Sequence, residues 1–483
     1  MSLSNSQLPS IIIEIHRRGI ERMSLHHSRT REELVRSDRE NLWHPFADLS
    51  RWEREDPPVI VSGEGVWLTD MTGHRMLDGT ASLWVNLLGH RRPELDRALC
   101  HQAGLIAHST FLGATHEGAV LLGEKLLALA PPGLTRVFYS DNGSTAVEIA
   151  MKLAFLTMKN RAKKRGRTPP SRFFSLERGY HGDTLGAVGA GAIERFHTVF
   201  GPLVRPSVTA PAPDCAQCPL GLVRPGCRLA CADVAAEQIR IHRDELVAVM
   251  VEPLLQAAGG MIVWPRGFLS RIAEAARSEG LLLIADEVAT GFGRTGTLFA
   301  CEQEGVIPDL LVVGKALTGG YLPLAATLAT ESLYESVRED PGTFYHGHSY
   351  TANPLACRVA LATLDVLERE DLLSFLPPKR ARIEAEWEPL TRHPFLGNFR
   401  TLGLVAAFDL SPPRRTASGG EGAVLLPEWI RQIRERARER GLLIRPLGPT
   451  LYLIPPLSAT VEEVGLMART LREAVESVLP SSP

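Results

Sequence analysis

Short apolar runs alternate with longer amphipathic stretches through the middle of the chain. The runs are "RVFYS" (136–140), "RFFSL" (172–176), "LVAVMVEP" (246–253), "GLLLIADEV" (280–288) and "DLLVVG" (309–314). Helical patterns such as "GFLSRIAEAARSEG" (267–280) separate several of them. Runs with no polar face predict strands of a parallel sheet covered by helices on both sides, an α/β architecture. Ligands of such sheets gather at the carboxyl ends of the strands. The polar residues at those ends are Asn142 and Ser144, Tyr180 and His181, Asp286, and Lys315. From residue 356 a helical pattern leads to shorter strand-like pieces, "LGLVAAFDL" and "LYLIPPL", and a final helix. That order predicts a smaller α+β domain.

Composition changes this picture little. The 483 residues, 44% hydrophobic and 22% charged, describe an ordinary globular chain longer than one core usually serves. Fifty-three basic residues against fifty-five acidic ones give a net charge of -2, which offers no overall attraction to nucleic acid or an anionic membrane. The opening "MSLSNSQLPSIIIEIHRRGIERM" holds only a three-residue apolar run broken by Glu14, too short for a signal or membrane segment. Met23 is an alternative start. An odd count of seven cysteines on a long chain predicts a reducing cytoplasm. "SPPRRTASGGEG" (411–422) has the composition of a mobile loop.

The strand-end residues carry the chemistry. Asp286 ends one apolar strand and Lys315 follows another, and buried ions are costly unless opposite charges meet. Singly, the aspartate reads as a cap and the lysine as a snorkelling surface residue. Together they would converge on one crevice, where a lysine of depressed pKa serves as a nucleophilic amine for a carbonyl cofactor. "YSDNGSTAVEIAMKLA" (139–154) adds a strand, a tight turn at Asn142, Gly143 and Ser144, and a helix whose N-terminus suits an anion. "ERGYHGDTLGA" (177–187) places Tyr180 where its ring could stack on a ligand. A lysine, a strand-end acid, a phosphate turn and an aromatic ring describe a pyridoxal 5'-phosphate site, with Asp286 keeping the pyridine nitrogen protonated.

"LLLIADEVATGFGRTG" and "LVVGKALTGGYLP" resemble the paired signature of class III aminotransferases, which are fold type I enzymes dependent on pyridoxal phosphate. The resemblance runs from "NLWHPF" (41–46) to the C-terminus. Within that class, "DGTASLWVNLLGH", "IAHSTFLGATH", "FYHGHSYTANPLAC" and "LLIRPLGPTLYLIPPL" are similar to the branch that aminates 8-amino-7-oxononanoate in biotin biosynthesis. The resemblance implies a large domain over 89–355 with a mostly parallel seven-stranded sheet. A small C-terminal domain would cover 356–483, joined by an N-terminal segment at 41–88, and residues 1–40 would be an extension. It implies that Gly143 and Ser144 hold the phosphate, Tyr180 flanks ring and substrate, Asp286 pairs with the pyridine nitrogen, and Lys315 forms the Schiff base. Trp84 would line the substrate pocket, Gly347 would touch substrate, and Arg445 would receive the substrate carboxylate. Ser349, with His348 beside it, would reach the phosphate of the partner subunit's cofactor in a homodimer.

Departures from the family pattern bear on the amino donor. Phe46 stands where many relatives carry tyrosine at the substrate and donor site, and His348 and Ser349 replace a Pro-Thr pair. Both features resemble members that use lysine, whereas S-adenosylmethionine is the commoner donor and is the one expected here. Ala258, in "VEPLLQAAGGM", occupies the position of a glutamate in glutamate-using branches, which argues against glutamate exchange. Competing readings are another ω-aminotransferase, an aminomutase on the same scaffold, and a non-catalytic interaction protein. Cys215, Cys218, Cys227 and Cys231 crowd one insertion, where four thiolates suit structural zinc and reduced thiols in a loop are the plainer expectation. Cys100, Cys301 and Cys357 are expected in the core.

Overall fold

The computed structural model describes residues 29–411 and 422–480. Most of the expected loop at 411–422 and the start at Met23 therefore lie outside the described residues. Two compact units divide the chain, Met1–Ser62 with Leu68–Arg75, and Gly63–Trp67 with Met76–Pro483. In the first, helix α1 (Arg31–Asn41) begins with a capping box, in which Thr30 and Glu33 each accept the other's backbone N–H. Asp38 on that helix accepts the indole N–H of Trp52 at 3.1 Å and lies 2.9 Å from the His44 ring. Phe46 belongs to this unit and is exposed with a left-handed backbone.

The second unit is built on a seven-stranded sheet. Its strands are β1 (Leu134–Ser140), β2 (Arg172–Leu176), β3 (Val208–Ala210), β4 (Leu246–Val251), β5 (Leu282–Asp286), β6 (Leu310–Val313) and β7 (Ala325–Thr330). Their spatial order is β1-β7-β6-β5-β4-β2-β3, and only β7 runs antiparallel to its neighbours. All six residues of β4, all five of β5 and all four of β6 are buried, as strands covered on both faces must be. Helix α2 (Gly143–Lys164) lays Ala146, Val147, Ala150 and Ala154 against Met250, Ile284 and Val312 on one face. Small residues on that helix stripe allow the close approach.

The apolar runs correspond to β1, β2, β4, β5 and β6. Sequence patterning misses β3, which has three residues, and β7, "AATLAT", whose alanines and threonines look neither strongly apolar nor alternating. Those two strands are specified by their neighbours. Beyond residue 356, β8 (Leu396–Leu402), β9 (Val405–Leu410) and β10 (Thr450–Leu453) form a separate antiparallel sheet, followed by a closing helix at Val461–Glu476. No helix among the described residues is long and apolar enough to cross a membrane.

The cysteines depart from expectation in one place. Cys301 and Cys357 are buried, but Cys100 is exposed because it falls on the outer side of the helix Pro93–Leu105. Cys215, Cys218, Cys227 and Cys231 are free thiols bordering one small cavity with Asp214 and Arg224. Among the described residues no three His, Cys, Asp or Glu side chains are grouped so that they could hold a metal ion.

Candidate active site

Strand register assembles the site. Ala285 on β5 pairs with Val251 on β4 and Asp286 pairs with Val312 on β6, so Glu252, Asp286 and the residues leading to Lys315 leave the sheet at one end. Gly314 joins β6 to a short 3-10 turn at Lys315–Thr318, and Lys315 itself takes φ 41°, a left-handed value uncommon outside glycine. Its Nζ lies 5.0 Å from the centre of the Trp84 ring. No hydrogen bond or ion pair among the described residues ties it elsewhere. Burial lowers the Lys315 pKa, against the pull of Asp286, Glu252 and Asp183, and so favours the neutral amine.

Asp286 is buried and meets His181, whose Nδ1 lies 2.7 Å from Asp286 Oδ2, while Asp286 Oδ1 accepts the N–H of Val288 at 3.1 Å. For His181, burial works to lower the pKa, but the hydrogen bond and charge of Asp286, with Glu252, raise it. Tyr180 sits one residue earlier, half-buried, and its hydroxyl donates to Asp183 Oδ2 at 2.6 Å. Burial first, then that hydrogen bond, keeps the phenol protonated.

The turn expected to hold a phosphate has the predicted strand–turn–helix form. Asn142 Oδ1 caps the N–H of Thr145 at 3.1 Å, which leaves the N–H groups of Gly143 and Ser144 at the head of a 22-residue helix. Ser144 Oγ accepts the N–H of Asp183 at 3.1 Å, so its own proton is available to an anion. Glycine is required at both sides of this cradle. A Cβ on Gly143 would stand 2.6 Å from Val288 Cγ1, and one on Gly182, at φ 120°, 2.1 Å from Ser144 Oγ.

Trp84 is presented by four consecutive non-glycine residues, Ala81 to Trp84, with positive φ. Such backbone costs on the order of 1–2 kcal/mol per residue. Buried Asp78 supports the turn by accepting the Ser82 N–H at 2.8 Å and the Ser82 hydroxyl at 2.6 Å. The indole N–H of Trp84 donates to Tyr452 Oη at 3.3 Å, and both rings pack with Leu255, Ala257 and Met261. Burial raises the Tyr452 phenol to about 12, although the Trp84 hydrogen bond and the Arg445 charge pull it down. Arg445, exposed, thus lies within electrostatic reach of this wall. Gly347 and Ser349 are exposed, and His348 Nε2 lies 3.4 Å from Asp141 Oδ1, beside the phosphate turn.

Sequence reasoning misses Glu252, Tyr452 and Asp183. Glu252 carried the same signal as Asp286, a carboxylate at the end of an apolar strand, within "LVAVMVEP". Tyr452 and Asp183 gain meaning only from contacts with Trp84 and Tyr180. Two other polar neighbours bond to backbone groups. Glu287 accepts the N–H groups of Ala300 and Cys301 at 2.7 and 2.8 Å, and buried Arg294 donates to the Pro455 carbonyl at 2.6 Å.

A free amine, a buried acid and a helix N-terminus with a hydroxyl fit pyridoxal 5'-phosphate, which Lys315, Asp286, Gly143 and Ser144 could hold. The class III aminotransferase family matches residues 49–475, and the chain belongs to that family of transaminases dependent on pyridoxal phosphate. The adenosylmethionine-8-amino-7-oxononanoate aminotransferase of Geobacter sulfurreducens is 43% identical over 449 residues, covering 91% of this chain and 97% of that one. The protein of the same name from Aquifex aeolicus is 40% identical over 462 residues, covering 92% and 97%. The crystal structure of the Methanocaldococcus jannaschii protein of that name superposes with a TM-score of 0.85 at 35% identity, covering 93% and 100%. An amine transaminase from an uncultivated Pseudomonas species, in its PLP-bound form, superposes with a TM-score of 0.84 at 34% identity, covering 91% and 99%.

Proposed function

We propose that this chain aminates 8-amino-7-oxononanoate to 7,8-diaminononanoate, a step of biotin biosynthesis, with S-adenosylmethionine as donor. The observation that carries the reading is the grouping of Trp84, Tyr452 and Arg445: an apolar wall ending near a guanidinium matches an aliphatic chain ending in a carboxylate. The names of the Geobacter and Aquifex relatives support both substrates.

Bound pyridoxal phosphate supplies an electron sink. Lys315 Nζ, favoured as the neutral amine by burial, moves the proton at the reacting carbon. Asp286, braced by His181, holds the proton of the pyridine nitrogen. Gly143 and Ser144 orient the phosphate, and the Tyr180 ring flanks the cofactor. The functional unit is a cytoplasmic homodimer in which the exposed Ser349, with His348, completes the partner's phosphate site.

Lysine is the second donor to consider, favoured by the missing hydroxyl at Phe46 and by the His348–Ser349 pair. The deciding experiment offers 8-amino-7-oxononanoate with S-adenosylmethionine, lysine or glutamate in parallel. Product with S-adenosylmethionine supports the proposal, and product with lysine alone transfers it to the second donor. Absence of product with every donor removes the substrate assignment and leaves the transaminase family in place.

A further inference from the structure

Glu252 is a buried carboxyl that the proposed reaction does not use. It follows β4, one residue beyond the Val251–Ala285 pair, and so leaves the sheet beside Asp286 in the same phase of the pleat. One of its oxygens accepts the N–H of Tyr180 at 3.0 Å and the other accepts the N–H of Ala257 at 3.3 Å. The first contact fixes the backbone of the ring-flanking tyrosine. The second fixes the segment Leu255–Met261, which packs against Trp84 and Tyr452. Two divergent N–H groups require two acceptor oxygens, which a carboxylate has and an amide lacks.

Charge as well as hydrogen bonding reaches across this point. His181 faces Glu252 from the loop after β2, Asp286 from the end of β5, and Lys315 from the turn after β6. Burial raises the Glu252 carboxyl to about 7, with His181 pulling it down and Asp286 pushing it up. The imidazole hydrogen-bonds Asp286 and feels the charge of Glu252 on the adjacent strand end, so the proton of either carboxyl is felt by the other.

We infer that Glu252 is a positioning residue of the amino-transfer site, holding Tyr180 with one oxygen and the substrate-side segment at Ala257 with the other, and setting the charge borne by the His181–Asp286 pair. This inference rests on the transaminase reading of the site. It adds that the cofactor side and the substrate side are coupled through one side chain.

Two variants test it in the full-length protein. Glu252→Gln keeps volume, loses the charge and leaves one N–H without an acceptor. Its KM for 8-amino-7-oxononanoate is expected to rise roughly tenfold, with kcat changing less. The ring titration of His181, followed by NMR of histidine-labelled protein, is expected to move to lower pH in both cofactor-free and cofactor-loaded forms. Glu252→Asp retains the charge but is too short to reach both N–H groups, so it should raise KM while leaving the His181 midpoint near that of the parent. A KM and a His181 midpoint both unchanged in Glu252→Gln would overturn the inference, as would a Glu252→Asp variant indistinguishable from the parent in KM. The His181 titration requires no amino substrate, so failure of the parent protein to aminate 8-amino-7-oxononanoate would count against the substrate assignment alone.

Discussion

His181 and Asp286 form a buried pair, with Nδ1 of the imidazole 2.7 Å from Oδ2 of the carboxylate. The contact joins the loop after β2 to the end of β5 and fixes the acid proposed to hold the proton of the cofactor nitrogen. It also determines what each neighbouring substitution should do.

Replacing His181 with alanine leaves a buried carboxylate oxygen without its partner, a loss of about 1.5–3 kcal/mol. kcat/KM should fall by roughly 10- to 100-fold, with helical content by circular dichroism unchanged. A change smaller than threefold would show that Asp286 holds its position unaided.

Lys315→Ala removes the amine proposed to move the proton. Turnover should drop by at least about 10²–10⁴-fold, and the visible band of the cofactor-loaded protein should be lost. Borohydride treatment of the parent followed by peptide mass mapping should place the cofactor on Lys315. A label on any other lysine contradicts the assignment.

Gly182→Ala drives a Cβ to 2.1 Å from Ser144 Oγ and 2.8 Å from Ser144 Cα, at a backbone φ of 120° that alanine rarely adopts. Ser144 must then move off the phosphate turn. Fluorescence titration of the cofactor-free protein should show pyridoxal phosphate affinity weakened by on the order of tenfold or more, the loss of a charge-assisted hydrogen bond. Unaltered affinity would separate Ser144 from phosphate binding.

Arg445→Ala should raise KM for 8-amino-7-oxononanoate by roughly 10- to 100-fold and leave kcat at saturation much less affected, because the carboxylate contact is made equally in ground and transition states. The amino ketone 2-amino-3-nonanone, in which a methyl group replaces the carboxylate, should not distinguish the variant from the parent. Steady-state kinetics with both compounds checks this, and an equal loss with each would place Arg445 elsewhere.

Glu287 gives a stability prediction with a definite sign. Burial raises its pKa from 4.5 to about 7, opposed by the Cys301 and Ala300 N–H groups. Between those values the folded chain keeps a proton that the unfolded chain releases, so stability declines as pH rises from about 4.5 to 7 and is then level. The loss is on the order of 3 kcal/mol for this group. Chemical denaturation at pH 5, 6 and 8 should show the decline, and Glu287→Gln should make it shallower, the remainder coming from Glu252, whose carboxyl burial also raises to about 7. A slope as steep in the variant as in the parent assigns the effect to other groups.

Periodicity alone located β1, β2, β4, β5 and β6, because strands buried on both faces must be written in apolar residues wherever they fall in the chain. It also gave the phosphate turn, since the Asn142–Gly143–Ser144 cap precedes its own helix and needs no distant partner. Asp286 and Lys315 stood out because charge at the end of such strands is costly, and their pairing in the motif resembled the class III signature. Tertiary structure decided the rest. β7 is a strand because β1 and β6 flank it, whatever its alanines prefer. His181 braces Asp286 over a separation of 105 residues, and Trp84 meets Tyr452 over 368. Glu252, with the same signal as Asp286, owes its proposed role to contacts of its two oxygens with two different loops. Local patterning records which residues are buried and where helices begin; which polar groups satisfy one another is set by chain crossings that no local stretch contains.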